Sequence, residues 1–62
     1  MTWYEQIKAA RKKKELTQQE MADVCGLTLR SYQRIEVGAQ WPAFPVLLSI
    51  CTKLGIKAVN IR

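Results

Sequence analysis

Leu29, Arg30, Ser31, Gln33 and Arg34 are the residues of this sequence whose types and spacing could do chemistry. If Tyr32 and Ile35, three apart, turn inward on a helix, these five form its outward surface, with two guanidiniums, an amide and one exposed apolar group. A guanidinium can donate to guanine O6 and N7 together, contributing roughly 1–3 kcal/mol of discrimination between bases. Such a surface suits nucleic acid.

The stretch Thr17 to Gly38 must position that surface. Thr17 is a good N-cap, and Glu20 stands at the capping-box position, so a helix is predicted from Gln18. Met21, Ala22 and Cys25 recur at helical spacing and make its apolar face, while Gln18, Gln19 and Asp23 point elsewhere. Gly26 ends the helix cheaply. Thr28 is a second capping hydroxyl, so two helices meet across a very short turn.

Composition narrows the function. Sixty-two residues make one domain, near the lower size at which a single core suffices, and dimerisation would help. Ten Lys and Arg against five Asp and Glu give a net charge of +5, which favours a polyanionic partner without identifying one. There is no histidine, and Cys25 and Cys51 are too few and too far apart for a zinc motif, so no metal or cofactor is expected. The cysteines read as small core residues with free thiols, an intrachain disulfide being the alternative. No apolar run could span a bilayer and no signal-peptide core is visible, so a reducing cytoplasm, with no membrane partner, is the expected location. No nucleophile–base pair, phosphate loop or carboxylate dyad appears, so an enzyme is not expected.

Thr2 can cap a first helix from about Trp3 to Lys14, with Trp3, Ile7 and Ala10 inward. The run Arg11-Lys12-Lys13-Lys14 puts cations in its last turn, where the helix dipole favours them; its lysines are either a solvated helix end or phosphate contacts. Leu16 can serve as a hydrophobic staple before Thr17. Residues Glu36 to Pro42 read as a loop, with Gly38 at positive φ. Trp41 either packs over this loop or offers its indole N–H to a DNA phosphate. A last helix is expected from Phe44 to Leu54, with Pro45 in its first turn, Gly55 as its stop, and Phe44, Leu47, Ile50, Cys51 and Leu54 inward. Leu48 falls outside that stripe, as a lone surface leucine or a dimer contact. Residues 57–62 alternate with a period of two, as a strand would, and such a strand could pair with its copy in a second chain through Val59 and Ile61. A frayed tail or a short fifth helix is the rival reading.

Taken in order, Ile7 and Arg11, the run Leu16-Thr17-Gln18-Gln19-Glu20-Met21-Ala22, Gly26-Leu27-Thr28, Tyr32, Ile35-Glu36-Val37-Gly38, Pro42, Leu47, Ile50 and Leu54-Gly55-Ile56 resemble a lambda-repressor/Cro-like (Xre-type) helix-turn-helix domain. The resemblance covers residues 4–56. It implies an all-α bundle of four or five helices over residues 1–56, with Thr28 to about Val37 as the recognition helix in the major groove of double-stranded DNA. It further implies that Leu29, Arg30 and Arg34 meet base edges, with Ser31 and Gln33 nearer the rim. Gln18 would contact phosphate and brace the recognition helix, and Thr28 would cap it and reach phosphate. The loop around Val37, Gln40 and Trp41 would approach the sugar-phosphate chain. Arg11 and Glu36 would form a structural ion pair. Relatives often carry a polar reader where Leu29 stands, so Leu29 meets a thymine methyl or fills the groove wall. Many also continue after Gly55 into a dimerising fifth helix, whereas this chain offers residues 57–62.

Two functions fit these residues. The first is a sequence-specific transcriptional regulator, most simply a Cro-like homodimeric repressor reading a palindromic operator. The second is the antitoxin of a toxin–antitoxin pair, which would bind its operator and also a toxin.

Overall fold

The computed structural model describes residues 1–57. Four helices follow one another: α1 (Trp3–Lys13), α2 (Gln18–Cys25), α3 (Leu29–Glu36) and α4 (Phe44–Leu54). Among the described residues there is no strand, and Lys57 belongs to no helix. The expected dimer contacts Val59 and Ile61 lie outside the described residues.

Capping decides where these helices start. The hydroxyl of Thr2 accepts from the Glu5 N–H, and the Glu5 carboxylate accepts from the Thr2 N–H. Thr17 and Glu20 repeat this reciprocal pair at the start of α2. In both places two otherwise orphaned donors are satisfied at a helix start. Both carboxyls consequently sit below their ordinary value, held down first by the bond from the capping residue's backbone. Thr28 caps α3 by accepting from the Ser31 N–H, and its own hydroxyl donates to the Ser31 hydroxyl at 3.0 Å. At the far ends, Gly26 and Gly55 take left-handed conformations after α2 and α4. The same turn after α1 is made by Glu15 at φ 58°, a conformation that costs a residue with a Cβ about 1–2 kcal/mol.

The core lies where all four helices meet. Ile7 from α1, Met21 and Ala22 from α2, Tyr32 and Ile35 from α3, and Leu47, Ile50, Cys51 and Leu54 from α4 are buried there. Trp3, Ala10, Leu16 and Cys25 are half-buried against its edge. Both cysteines are free thiols, and burial pushes both up in pKa, which disfavours the thiolate. Phe44 departs from the expected inward stripe, being 67% exposed. It is the first residue of α4, and helical periodicity gives the direction a side chain faces without saying how far along the axis neighbouring helices extend.

Gly38 closes the connection from α3 to α4. It stands at φ +80°, and a Cβ there would lie 2.6 Å from the Tyr4 ring. Only glycine satisfies both the backbone and the ring above it. Tyr4 in turn packs edge-on against Trp3 at 5.3 Å, and Trp3 against Trp41 at 4.6 Å. An aromatic cluster thus ties the α3–α4 loop to the start of α1.

Candidate nucleic-acid interface

The α3 helix is fixed from below and open above. Its inward residues Tyr32, Ile35 and Glu36 are buried, while Leu29, Arg30, Gln33 and Arg34 are exposed and Ser31 is half-buried against Thr28. Four of the five residues of the expected reading surface therefore share one solvent-facing side of a helix anchored by its own core residues. Arg34 also anchors the loop that follows, because its carbonyl accepts from the N–H groups of Ala39 at 2.9 Å and Gln40 at 3.2 Å.

What holds α3 at its angle is a buried ion pair. The Arg11 guanidinium donates through Nε to Glu36 Oε2 at 2.9 Å and through Nη2 to Glu36 Oε1 at 2.9 Å. Its Nη1 donates to the Leu16 carbonyl at 2.7 Å, so one side chain joins α1, the α1–α2 turn and the end of α3. Arg11 is 8% exposed and Glu36 3%, so neither charge has water to fall back on. The bidentate fork suits this pairing, which an ammonium could not reproduce. Arg11 falls four residues after Ile7 and shares its inward face, a spacing that separates it from the solvated lysines beside it.

Two neighbours complete the arrangement. Gln18 Nε2 donates to Glu36 Oε1 at 3.2 Å, and Gln33 Nε2 donates to Gln18 Oε1 at 3.1 Å. The Tyr32 hydroxyl is buried without a hydrogen-bond partner. Burial first, and then the nearby Glu36 carboxylate, push its ionisation far above the ordinary tyrosine range. Neither the Gln18–Gln33 bond nor the unpartnered state of the buried Tyr32 hydroxyl is visible in the sequence, since both depend on how α2 crosses α3.

The Glu36 carboxyl feels opposing influences. Burial pushes its pKa up, but the hydrogen bonds from Arg11 and Gln18 outweigh it and leave the carboxyl below its ordinary 4.5. A carboxyl with a lowered native pKa stabilises the fold fully above its unfolded value and loses that contribution as pH falls through the native one. The thermal midpoint is therefore expected to hold from neutrality to about pH 4.5 and to fall below it. Melting curves followed by circular dichroism should show a shallower acid slope for the double variant Arg11→Met with Glu36→Leu, which removes the carboxyl without orphaning the buried guanidinium, with the remainder due to Glu5 and Glu20. An identical slope in the variant would remove Glu36 from the acid transition.

The backbone-facing candidates surround α3. Gln18 is half-buried at the start of α2, Thr28 is exposed at the N-cap of α3, and Val37, Gln40 and Trp41 are exposed in the loop after it. Trp41 packs its ring on Trp3, while 51% of it stays exposed. On α4, Leu48 is exposed next to Val24 of α2, with Ser49, Thr52 and Lys53 around the shallow groove between them. Among the described residues no cluster of His, Cys, Asp and Glu could hold a metal ion, and no helix is long and apolar enough to cross a membrane.

Comparison with known proteins agrees with this architecture. The helix-turn-helix family model matches residues 7–59. The chain is similar to an uncharacterized HTH-type transcriptional regulator, YqaE, of Bacillus subtilis (strain 168), with 40% identity over 52 residues. That alignment covers 84% of this chain and 45% of the relative, so the chain spans about half the length of the curated relative it matches. With a short α2–α3 turn, a buried inner face and an open outer face on α3, the chain belongs to the lambda-repressor-like (Xre-type) helix-turn-helix family.

Proposed function

We propose that the protein is a DNA-binding transcriptional regulator that lays α3 in the major groove. The observation that carries this reading is the exposed outer side of α3, with Arg30, Gln33 and Arg34 on a helix whose inner side is locked by the Arg11–Glu36 pair. Arg30 and Arg34 donate to guanine edges, and Leu29 meets a thymine methyl or the groove wall. Gln18, Thr28 and the loop of Val37, Gln40 and Trp41 set the register on the sugar-phosphate chains.

The protein acts as a homodimer, most simply a repressor, with two α3 helices in half-sites about one helical turn, roughly 34–36 Å, apart. Exposed Leu48 supports this reading, and Val59 and Ile61 are the further contacts that the alternating pattern of the sequence offers. A small domain gains stability by burying such apolar surface against a copy of itself. A dimer selects palindromic sites from random DNA, whereas a monomer selects single half-sites.

Equilibrium binding to a duplex, followed by fluorescence anisotropy across a salt series, tests the DNA reading. Phosphate contacts release counterions, so the logarithm of affinity should fall linearly and steeply with the logarithm of salt concentration. A flat dependence would contradict binding through this basic surface.

A further inference from the structure

The hydrogen bonds that join Glu36, Gln18 and Gln33 have a fixed direction. Glu36, ionised beside Arg11, can only accept, so the amide nitrogen of Gln18 must be the end that faces it, at 3.2 Å. The Gln18 oxygen then faces outward and accepts from Gln33 Nε2 at 3.1 Å. An amide has one acceptor oxygen and two N–H donors, so Gln33 keeps its oxygen and one N–H free of this chain of bonds. A free glutamine side chain offers either end to a ligand at equal cost. Here the buried charge pair sets the choice and Gln18 carries it to the surface of α3.

We infer that Gln33 is a specificity-determining residue that reads an amino group on a base edge, adenine N6 or cytosine N4, through an oxygen whose orientation is imposed by Glu36 through Gln18. This rests on the DNA reading above. Adenine fits best, because N7 beside the amino group can accept the second Gln33 N–H. Guanine and thymine present O6 and O4 to the Gln33 oxygen, and two acceptors repel. Arg30 and Arg34 have only donors and read acceptor edges, so the surface divides its work. The cations take guanine, and the oriented amide takes amino-bearing bases. Gln18 is a positioning residue in this scheme, acting on the base through Gln33.

Selection of bound duplexes from random DNA, with wild type and three variants, tests the assignment. Gln33→Ala should flatten one position of the half-site, the position at which wild type prefers adenine or cytosine. Gln18→Ala and Gln18→Met should admit guanine at that same position, because the Gln33 amide can then turn over. The preference for an amino-bearing base should fall about fivefold, the size of one hydrogen bond. Positions that depend on Arg34 should keep their preference in both Gln18 variants, a result that general loosening of α3 would not give. Gln18→Met keeps the length of the side chain and guards against a packing defect in Gln18→Ala, and circular dichroism checks that each variant folds. Guanine or thymine preferred by wild type at the position Gln33→Ala flattens would overturn the assignment. So would no flattened position, or Gln18 variants with the wild-type preference. Failure of wild type to enrich any sequence would overturn the DNA reading itself along with it, which separates the two failures.

Discussion

Arg11→Ala is expected to leave the protein largely unfolded near room temperature. Removing the guanidinium abandons Glu36, 3% exposed, without a counter-charge, and breaking a buried pair in this way costs about 3–5 kcal/mol. The Leu16 carbonyl loses its donor as well. A chain of this length has a total stability of only about 3–9 kcal/mol at the usual stability per residue, so the loss is comparable to the whole. Arg11→Lys should retain part of the stability, since it keeps the charge and loses the two-pronged geometry. Replacing both partners with apolar residues, Arg11→Met with Glu36→Leu, should recover most of it, because no orphaned charge remains. Urea titrations followed by circular dichroism give these differences directly. A wild-type midpoint for Arg11→Ala would mean that the pair does not hold α3 in place.

Arg34→Ala is expected to leave stability nearly unchanged and to lower affinity for the selected operator by roughly 5- to 150-fold, the value of one bidentate contact to guanine. The side chain is exposed and makes no hydrogen bond or ion pair within the chain among the described residues, so its loss removes little that the fold needs. Its carbonyl keeps its bonds to Ala39 and Gln40 in the variant. Affinity for random duplex should fall far less, because phosphate contacts from other residues persist. Competition anisotropy with specific and random duplexes separates the two effects. Equal losses on both would mean that Arg34 contributes charge alone and reads no base.

Helix starts were the most legible feature of the sequence, because capping is local chemistry. Thr2, Thr17 and Thr28 each precede a helix by one residue, and Glu20 closes the box that its spacing from Thr17 predicts. Gly26, Gly38 and Gly55 all stand at positive φ. The left-handed turn at Glu15 carries no such signal, since nothing about a glutamate announces that the surrounding contacts will force it there. Phe44 misled for a different reason. Its place in the apolar repeat is correct, but it sits at the first position of α4 and is left without cover.

The candidate site was legible in part. The residue types on the outer side of α3 follow from the period of Tyr32 and Ile35, and exposure divides them as that period requires, with Ser31 drawn down toward Thr28. The support beneath them was not legible from spacing, because it joins residues 25 apart at Arg11 and Glu36 and 15 apart at Gln18 and Gln33. Such contacts depend on helix crossing, which no local pattern specifies. The resemblance to relatives pointed to the Arg11–Glu36 pair. The Gln18–Gln33 bond, the buried Tyr32 hydroxyl and the tie from Trp41 through Trp3 to Tyr4 came only with the packed helices.

Selection of bound sequences from a random duplex pool is the most direct test of the claim that α3 reads DNA. The enriched sites should share a short palindrome with guanine at a position that Arg34→Ala makes indifferent, and the half-sites should be centred about one helical turn apart. A pool that emerges as random as it entered would contradict base reading by α3. Enrichment that Arg34→Ala leaves unaltered at every position would contradict the role given to its guanidinium.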